Sequence, residues 1–476
     1  MTAPTTRSSA PLDDDYFARR ALRRGAAGSF LLAGLGVSFV ISGDFSGWNL
    51  GLATGGWGGL AVAFVAMGLM YSCMVLGLAE MSAALPTAGA GYGFARRALG
   101  RLGGYATGLA ILVEYAIAPA AIAVFIGGYV ESLGLFGLTS GWPVYLACFA
   151  VFVGLHLVGV GEALKVMLAI TALAVLALVL SAVGMLPHFE VANLLDVPAT
   201  DAAGASAFLP FGYAGVVGAL VFAIWFFLAV EGVPLAAEES RDPARDMPRG
   251  IIGAMAVLVV TGLAVLVLAP GGAGAQLVGA SASPLPDALR AVGSDRLAVV
   301  VNYVGLAGLV ASFFSIVYAY SRQLFALSRA GYLPTWLSRT SSRGTPTWAL
   351  VVPGVVGFAL AAVVEDGDVL INVAVFGAAV SYVLLNLSHI VLRVREPGME
   401  RPYRTPGGVV TTGVALALSC VALAATFVVD VRAAVVTAVI FAAGLAYFLL
   451  HSRHRLVATA PEEEFALLAA AEEELR

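Results

Sequence analysis

The sequence predicts an all-α polytopic membrane protein with about twelve transmembrane helices, and three observations carry that prediction. Of its 476 residues, 60% are hydrophobic and only 12% are charged, a balance that excludes both a soluble globular domain and a disordered chain. Apolar runs of about 20 residues, the length that crosses the hydrocarbon core, recur along the whole chain. They fall near 28–54, 57–79, 103–130, 142–160, 163–186, 213–236, 250–270, 297–327, 347–364, 369–392, 408–429 and 432–450. Positive charge is also one-sided. With the N-terminus inside, every one of the 26 Lys and Arg falls on an inside segment except Arg290, Arg296 and Arg432. That is the bias that orients membrane helices, and one miscounted span would scramble it. Both termini are therefore expected to be cytoplasmic, on a multi-pass protein of the plasma (inner) membrane.

Taken in order, residues 1–27 form a polar tail with Arg7, Arg19, Arg20, Arg23 and Arg24 and no cleavable signal pattern. The first span opens as an apolar helix, Phe30 to Ile41, and runs into Ser42-Gly43-Asp44-Phe45-Ser46-Gly47-Trp48. Glycine weakens a helix by about 1 kcal/mol relative to alanine, and serine can bond the backbone locally instead of continuing the ladder. An aspartate at bilayer depth costs at least ~2.5 kcal/mol unless something polar answers it. Backbone breaks at that depth only where it is buried in protein or lines a cavity. A broken helix around a site is the reading. The sixth span repeats the pattern in Trp225-Phe226-Phe227-Leu228-Ala229-Val230-Glu231-Gly232-Val233-Pro234, a carboxylate beside glycine with proline following. Interrupted spans at corresponding places in two halves point to a midplane site between inverted repeats. The expected organisation is a five-plus-five inverted-repeat core at 28–392, a loop with two further spans at 393–450, and an acidic tail at 451–476 with Glu462–Glu464 and Glu472–Glu474.

Other chemistry is sparse. Cys73, Cys148 and Cys420 all lie in apolar runs and read as small buried hydrophobes, and the five histidines show no ligand spacing. No metal, no cofactor, no catalytic constellation and no nucleic-acid partner is expected; the partners are the bilayer and a small solute. Glu114, followed by Tyr115, sits in the middle of the third span, where a carboxylate should face the bundle and find a partner. It either orients a substrate hydroxyl, takes part in proton movement, or bonds a neighbouring helix. Glu80, at the inside end of the second span, reads as structural or gating.

These stretches resemble the amino acid–polyamine–organocation superfamily. Ser42-Gly43-Asp44-Phe45 is similar to its first-helix break. Ala79-Glu80-Met81 through Arg96-Arg97-Ala98-Leu99-Gly100 is similar to its helix 2–3 loop, and Phe227 to Gly232 with Glu238-Glu239-Ser240-Arg241-Asp242-Pro243 to its helix 6–7 signature. Ser321-Arg322 to Leu333-Pro334 and Arg401-Pro402-Tyr403-Arg404 extend the likeness toward the C-terminal end. Within the superfamily, Ile41 to Asn49, Ala79 to Arg97 and Glu114 to Gly128 most resemble bacterial ethanolamine permeases. The resemblance implies a secondary transporter, not an enzyme, that imports ethanolamine by alternating access; an amino acid or polyamine permease or exchanger is the alternative.

It also implies roles. Amino acid carriers of this kind bind the substrate carboxylate on backbone N–H groups at the first break, which the charge of Asp44 would repel; an amine without a carboxylate would gain from it. Asp44 is thus the expected ammonium partner, with capping of the resumed helix as the plain alternative. The substrate is expected against Ser42, Gly43, Asp44, Phe45, Glu114, Tyr115, Leu228 and Glu231, beneath Trp225, whose indole face either attracts the ammonium or simply packs. Glu231 is a second ammonium partner, a protonation site or a structural tie. Ser312 and Ser315, three apart in the eighth span, help bind Na⁺ in sodium-coupled relatives but also suit helix packing. H⁺ is the other candidate coupling ion, although the fifth span carries Lys165 only near its inside end and no lysine at its centre.

Overall fold

The computed structural model describes residues 27–457 apart from 88, 135–136, 159–160 and 343. The arginines of the N-terminal tail and the glutamates of the acidic tail lie outside the described residues. All regular structure that is described is helical, apart from isolated bridges joining Ala27 to Ser240 and Thr340 to Pro346.

The first span is divided into α1 (Ser29–Val40), a single turn α2 (Ser42–Phe45), and the start of α3 (Leu50–Ala84). The second span is the rest of α3, which bends at Gly56 (φ 66°) without an intervening loop. The sequence expects two separate spans there. A left-handed glycine reverses the helix direction within one residue, and a Cβ at Gly56 would sit 2.2 Å from the Pro210 ring, so no other residue fits the close passage of that loop.

The remaining spans are α4 (Ala90–Ser132), α5 (Trp142–Val158), α6 (Gly161–Met185), α7 (Gly212–Trp225) followed by a 3-10 stretch (Val230–Glu239), and α8 (Pro243–Ala273). Then come the short α9 (Pro284–Ala291), α10 (Asp295–Arg329), α11 (Thr347–Val364), α12 (Gly367–Arg395), α13 (Val409–Val429) and α14 (Val431–Leu450). Among the described residues, ten helical segments are long and apolar enough to cross a bilayer. With the divided first span and the 17-residue α5, they make up the twelve spans the sequence predicts.

Packing sorts the helices around the two breaks. α1 and α3 pack on α7 and α8, while α4 packs on α10 and most extensively on α12. The last two helices lie to the side: α13 against α12 and α3, α14 against α12 and α4. Each turns much of its apolar surface outward, with Val410, Val428, Val439 and Leu450 exposed. That is the surface a chain solvated by lipid leaves uncovered.

Candidate functional site

At the first break the helical ladder stops because Ser46 is extended (φ −159°) and Gly47 is left-handed (φ 92°). The serines then bond sideways. Ser42 Oγ lies 2.8 Å from Ser312 Oγ, and the Ser312 hydroxyl donates to the Phe39 carbonyl at 2.8 Å. One turn away, Ser38 Oγ lies 2.6 Å from Ser315 Oγ. Both α10 serines are therefore already engaged with α1. Phe45 packs its ring on Gly305 and Gly308 of α10, and its carbonyl accepts from Tyr129 at 2.8 Å.

Asp44 turns the other way. It is fully buried beside Thr261 of α8, whose hydroxyl donates to the carbonyls of Val257 and Leu258 in its own helix. Neither carboxylate oxygen has a hydrogen-bond partner among the described residues. The capping alternative has no bond behind it, since the helix resumes only at Leu50 and Asn49, not Asp44, bonds the turn at Gly47.

At the second break α7 ends at Trp225, and the chain turns through Ala229, which is left-handed (φ 78°) without being glycine. The two breaks touch. A Cβ on Gly43 would lie 2.5 Å from the Trp225 carbonyl oxygen, so glycine is what lets the backbones meet. The Trp225 indole N–H donates to the Ser46 carbonyl at 3.0 Å, and the ring packs edge-on against Phe125. Leu228 is buried at the same turn.

Glu231 leaves this turn toward α4, away from Asp44. Glu114 is its neighbour there, and Oε2 of each carboxyl has no hydrogen-bond partner among the described residues. Tyr115 donates to Glu231 Oε1 at 3.0 Å and Tyr382 of α12 reaches Glu114 Oε1 at 3.4 Å, with Tyr71 of α3 donating to Tyr382 at 2.6 Å. The site thus brings Glu114, Tyr115 and Glu231 together, sets Ser42, Gly43, Phe45 and Trp225 at the seam between the breaks, and leaves Asp44 facing α8.

Comparison with known proteins accounts for this architecture over nearly the whole chain. The amino acid permease family model matches residues 30–454. The chain belongs to the amino acid permease family. An uncharacterized transporter of Rhizobium meliloti (strain 1021) is 31% identical, over 83% of this chain and 84% of its own length. The branched-chain amino acid permease of Bacillus subtilis (strain 168) is 29% identical over 82% and 85%. The methylthioribose transporter of the same organism is 27% identical over 79% and 83%.

The hydrogen-bonded cluster beside the sixth-span break includes two residues that the sequence does not single out. Tyr71 and Tyr382 are hydroxyls in the middle of long apolar runs, and a search for intramembrane charge does not register them. Their placement opposite Glu114 was available only as the general rule that such a carboxylate needs partners. Glu80, expected as structural or gating, is buried between the guanidinium groups of Arg393 (2.5 Å) and Arg401 (2.9 Å), with His389 Nε2 at 3.3 Å. The Thr405 N–H donates to it at 2.7 Å. The knot ties the end of α3 to α12 and to the loop before α13, far along the helices from the two breaks.

Proposed function

We propose that this permease is a secondary active transporter of the plasma membrane, with both termini inside, that carries a small amino acid along the seam between the broken first and sixth spans. The observation that carries the reading is the contact of the two breaks, Gly43 on the Trp225 carbonyl with the indole closing on Ser46. Helix ends freed in this way offer N–H groups to a carboxylate and C=O groups to an ammonium, so a zwitterion is recognised by backbone. Asp44, turned toward Thr261, leaves its charge off that seam and removes the repulsion that would exclude a carboxylate. Relatives named as amino acid permeases add support. Alternating access is expected to come from movement of the broken spans and their partners against α4, α10 and α12.

Ethanolamine is the second reading, favoured by one observation: Asp44 is a buried carboxylate with no counterion among the described residues, and an ammonium would supply one. Uptake of labelled leucine, alanine and ethanolamine into proteoliposomes decides between them, with putrescine as an unlabelled competitor. The amino acid reading expects saturable leucine or alanine uptake that ethanolamine and putrescine leave alone. Saturable ethanolamine uptake that Asp44→Asn abolishes would replace it.

A further inference from the structure

We infer that the groove between α4 and α14 is a binding site for one anionic phospholipid, whose phosphate is held by Arg101 and by the arginines that follow α14. The site lies apart from the two breaks and does not depend on which solute is carried.

α4 bends at Gly100 (φ 79°), so Arg101 opens the segment that crosses the bilayer. Leu102, Tyr105 and Leu109 follow at the three- and four-residue spacing of one helix face. Across from them stand Phe441, Ala442 and Leu445 of α14, and the two faces line an apolar cavity of about 230 Å³. α14 touches α4 through the stacked rings of Tyr105 and Phe448 (5.0 Å) and through Leu109 on Gly444, and it leaves the space beside them open.

Two polar features set this groove apart from ordinary lipid-facing surface. The first is Tyr105, which is buried, yet its hydroxyl, lying over Gly444, bonds no group among the described residues. A hydroxyl in apolar surroundings is costly unless something accepts from it. The ester carbonyl of a glycerolipid is such an acceptor, and it lies just below the headgroup. Arg101 and Tyr105 are one turn, about 6 Å, apart along α4, so a phosphate at the first places an ester near the second.

The second feature is charge at the mouth. The Arg101 side chain is exposed and pairs with no acid among the described residues. After α14 the chain folds back, with Ser452 donating to the Tyr332 carbonyl at 2.9 Å and the Tyr332 hydroxyl donating to the Arg101 carbonyl at 3.0 Å. One tyrosine thus holds the end of α14 against the start of the crossing segment of α4. Arg453 and Arg455, both exposed, are thereby brought to the end of the groove that Arg101 occupies. Guanidinium groups suit a phosphate, and basic pockets between spans are a known form of headgroup site. A zwitterionic lipid would fill the cavity without answering these charges, and a free phosphate would answer them and leave the cavity empty.

Native mass spectrometry of the purified full chain tests this, with dioleoyl phosphatidylglycerol and dioleoyl phosphatidylcholine titrated in detergent. One phosphatidylglycerol should be retained in preference to phosphatidylcholine, and glycerol phosphate alone should not be retained. Arg101→Gln should weaken retention about fivefold, the effect of one cation at an anionic headgroup, and Arg455→Gln should act similarly. Ala442→Trp alters an exposed position and fills the groove, so it should remove the bound lipid. Equal retention of the two lipids, retention of glycerol phosphate, or phosphatidylglycerol held unchanged by Ala442→Trp overturns the proposal. A dimer that Ala442→Trp separates would give the groove to a second copy. Lipid binding seen only after removal of residues 458–476 would give the arginines to the acidic tail. Either result sinks the lipid site.

Discussion

Each broken span carries one carboxylate, and the two are treated in opposite ways. Glu231 accepts from Tyr115 beside Glu114, which Tyr382 reaches and Tyr71 bonds in turn, so the polar contacts of this cluster reach α4, α12 and α3. Asp44 meets only the vicinity of Thr261 and has no hydrogen-bond partner among the described residues. The first break is held by neutral groups instead: serine hydroxyls across to α10 and an indole N–H on the Ser46 carbonyl. A network that crosses between elements registers their relative movement. A lone acid inside one packed group does not. On the proposed function, recognition falls to backbone at the first break and control to side chains at the second.

The largest effect is expected where both breaks are tested at once. Gly43→Ala drives a methyl group to 2.5 Å from the Trp225 carbonyl oxygen, so uptake should be abolished while the protein still inserts; normal uptake would show that the breaks need not touch. Next in size is Glu231→Ala. It strands Glu114 and the Tyr115 hydroxyl in a buried space, which costs about 1–3 kcal/mol per unsatisfied group. Both thermal stability and uptake should drop, the latter by about tenfold or more for each ~1.4 kcal/mol; an unchanged variant would place control elsewhere. Asp44→Asn should move leucine uptake by no more than about threefold and leave the melting temperature level or higher, because an unpaired charge is costly to bury. A large loss would reunite the two carboxylates in one substrate site. Smallest is Ser312→Ala, which deletes hydrogen bonds to Phe39 and Ser42 worth about 1 kcal/mol each. Stability should fall slightly with uptake indifferent to replacing sodium by choline. Sodium dependence lost in the variant would give the serines an ion to hold.

The spans were legible because apolar length and arginine placement are one-dimensional properties. The breaks were legible for a related reason: Ser-Gly-Asp and Glu-Gly inside apolar runs contradict a continuous helix wherever they face. What could not be read is direction. Residues 42 to 45 form one turn, and the turn sends Ser42 to α10, Gly43 to Trp225 and Asp44 to α8. One residue of rotation would have put Asp44 where recognition was expected. Pairing across the chain was equally hidden. Glu114 and Glu231 each announce a need for a partner, but only the packing of α4 on the sixth-span break makes them neighbours, with Tyr115 and Tyr382 as their donors. The bend at Gly56 escaped because a left-handed glycine leaves no polar loop to see.

Ala229 carries a consequence for how long the conformation seen here lasts. A left-handed residue with a side chain costs about 1–2 kcal/mol that glycine would not incur, and Ala229 holds that geometry at φ 78° in the turn after α7. The turn is therefore strained in the conformation seen here, and relief of that strain shortens the dwell of that form. Ala229→Gly should unload it and raise the resting population of that form by about fivefold per kcal/mol, giving tighter apparent substrate binding with slower turnover. Faster turnover in that variant would mean that the strain does not drive release.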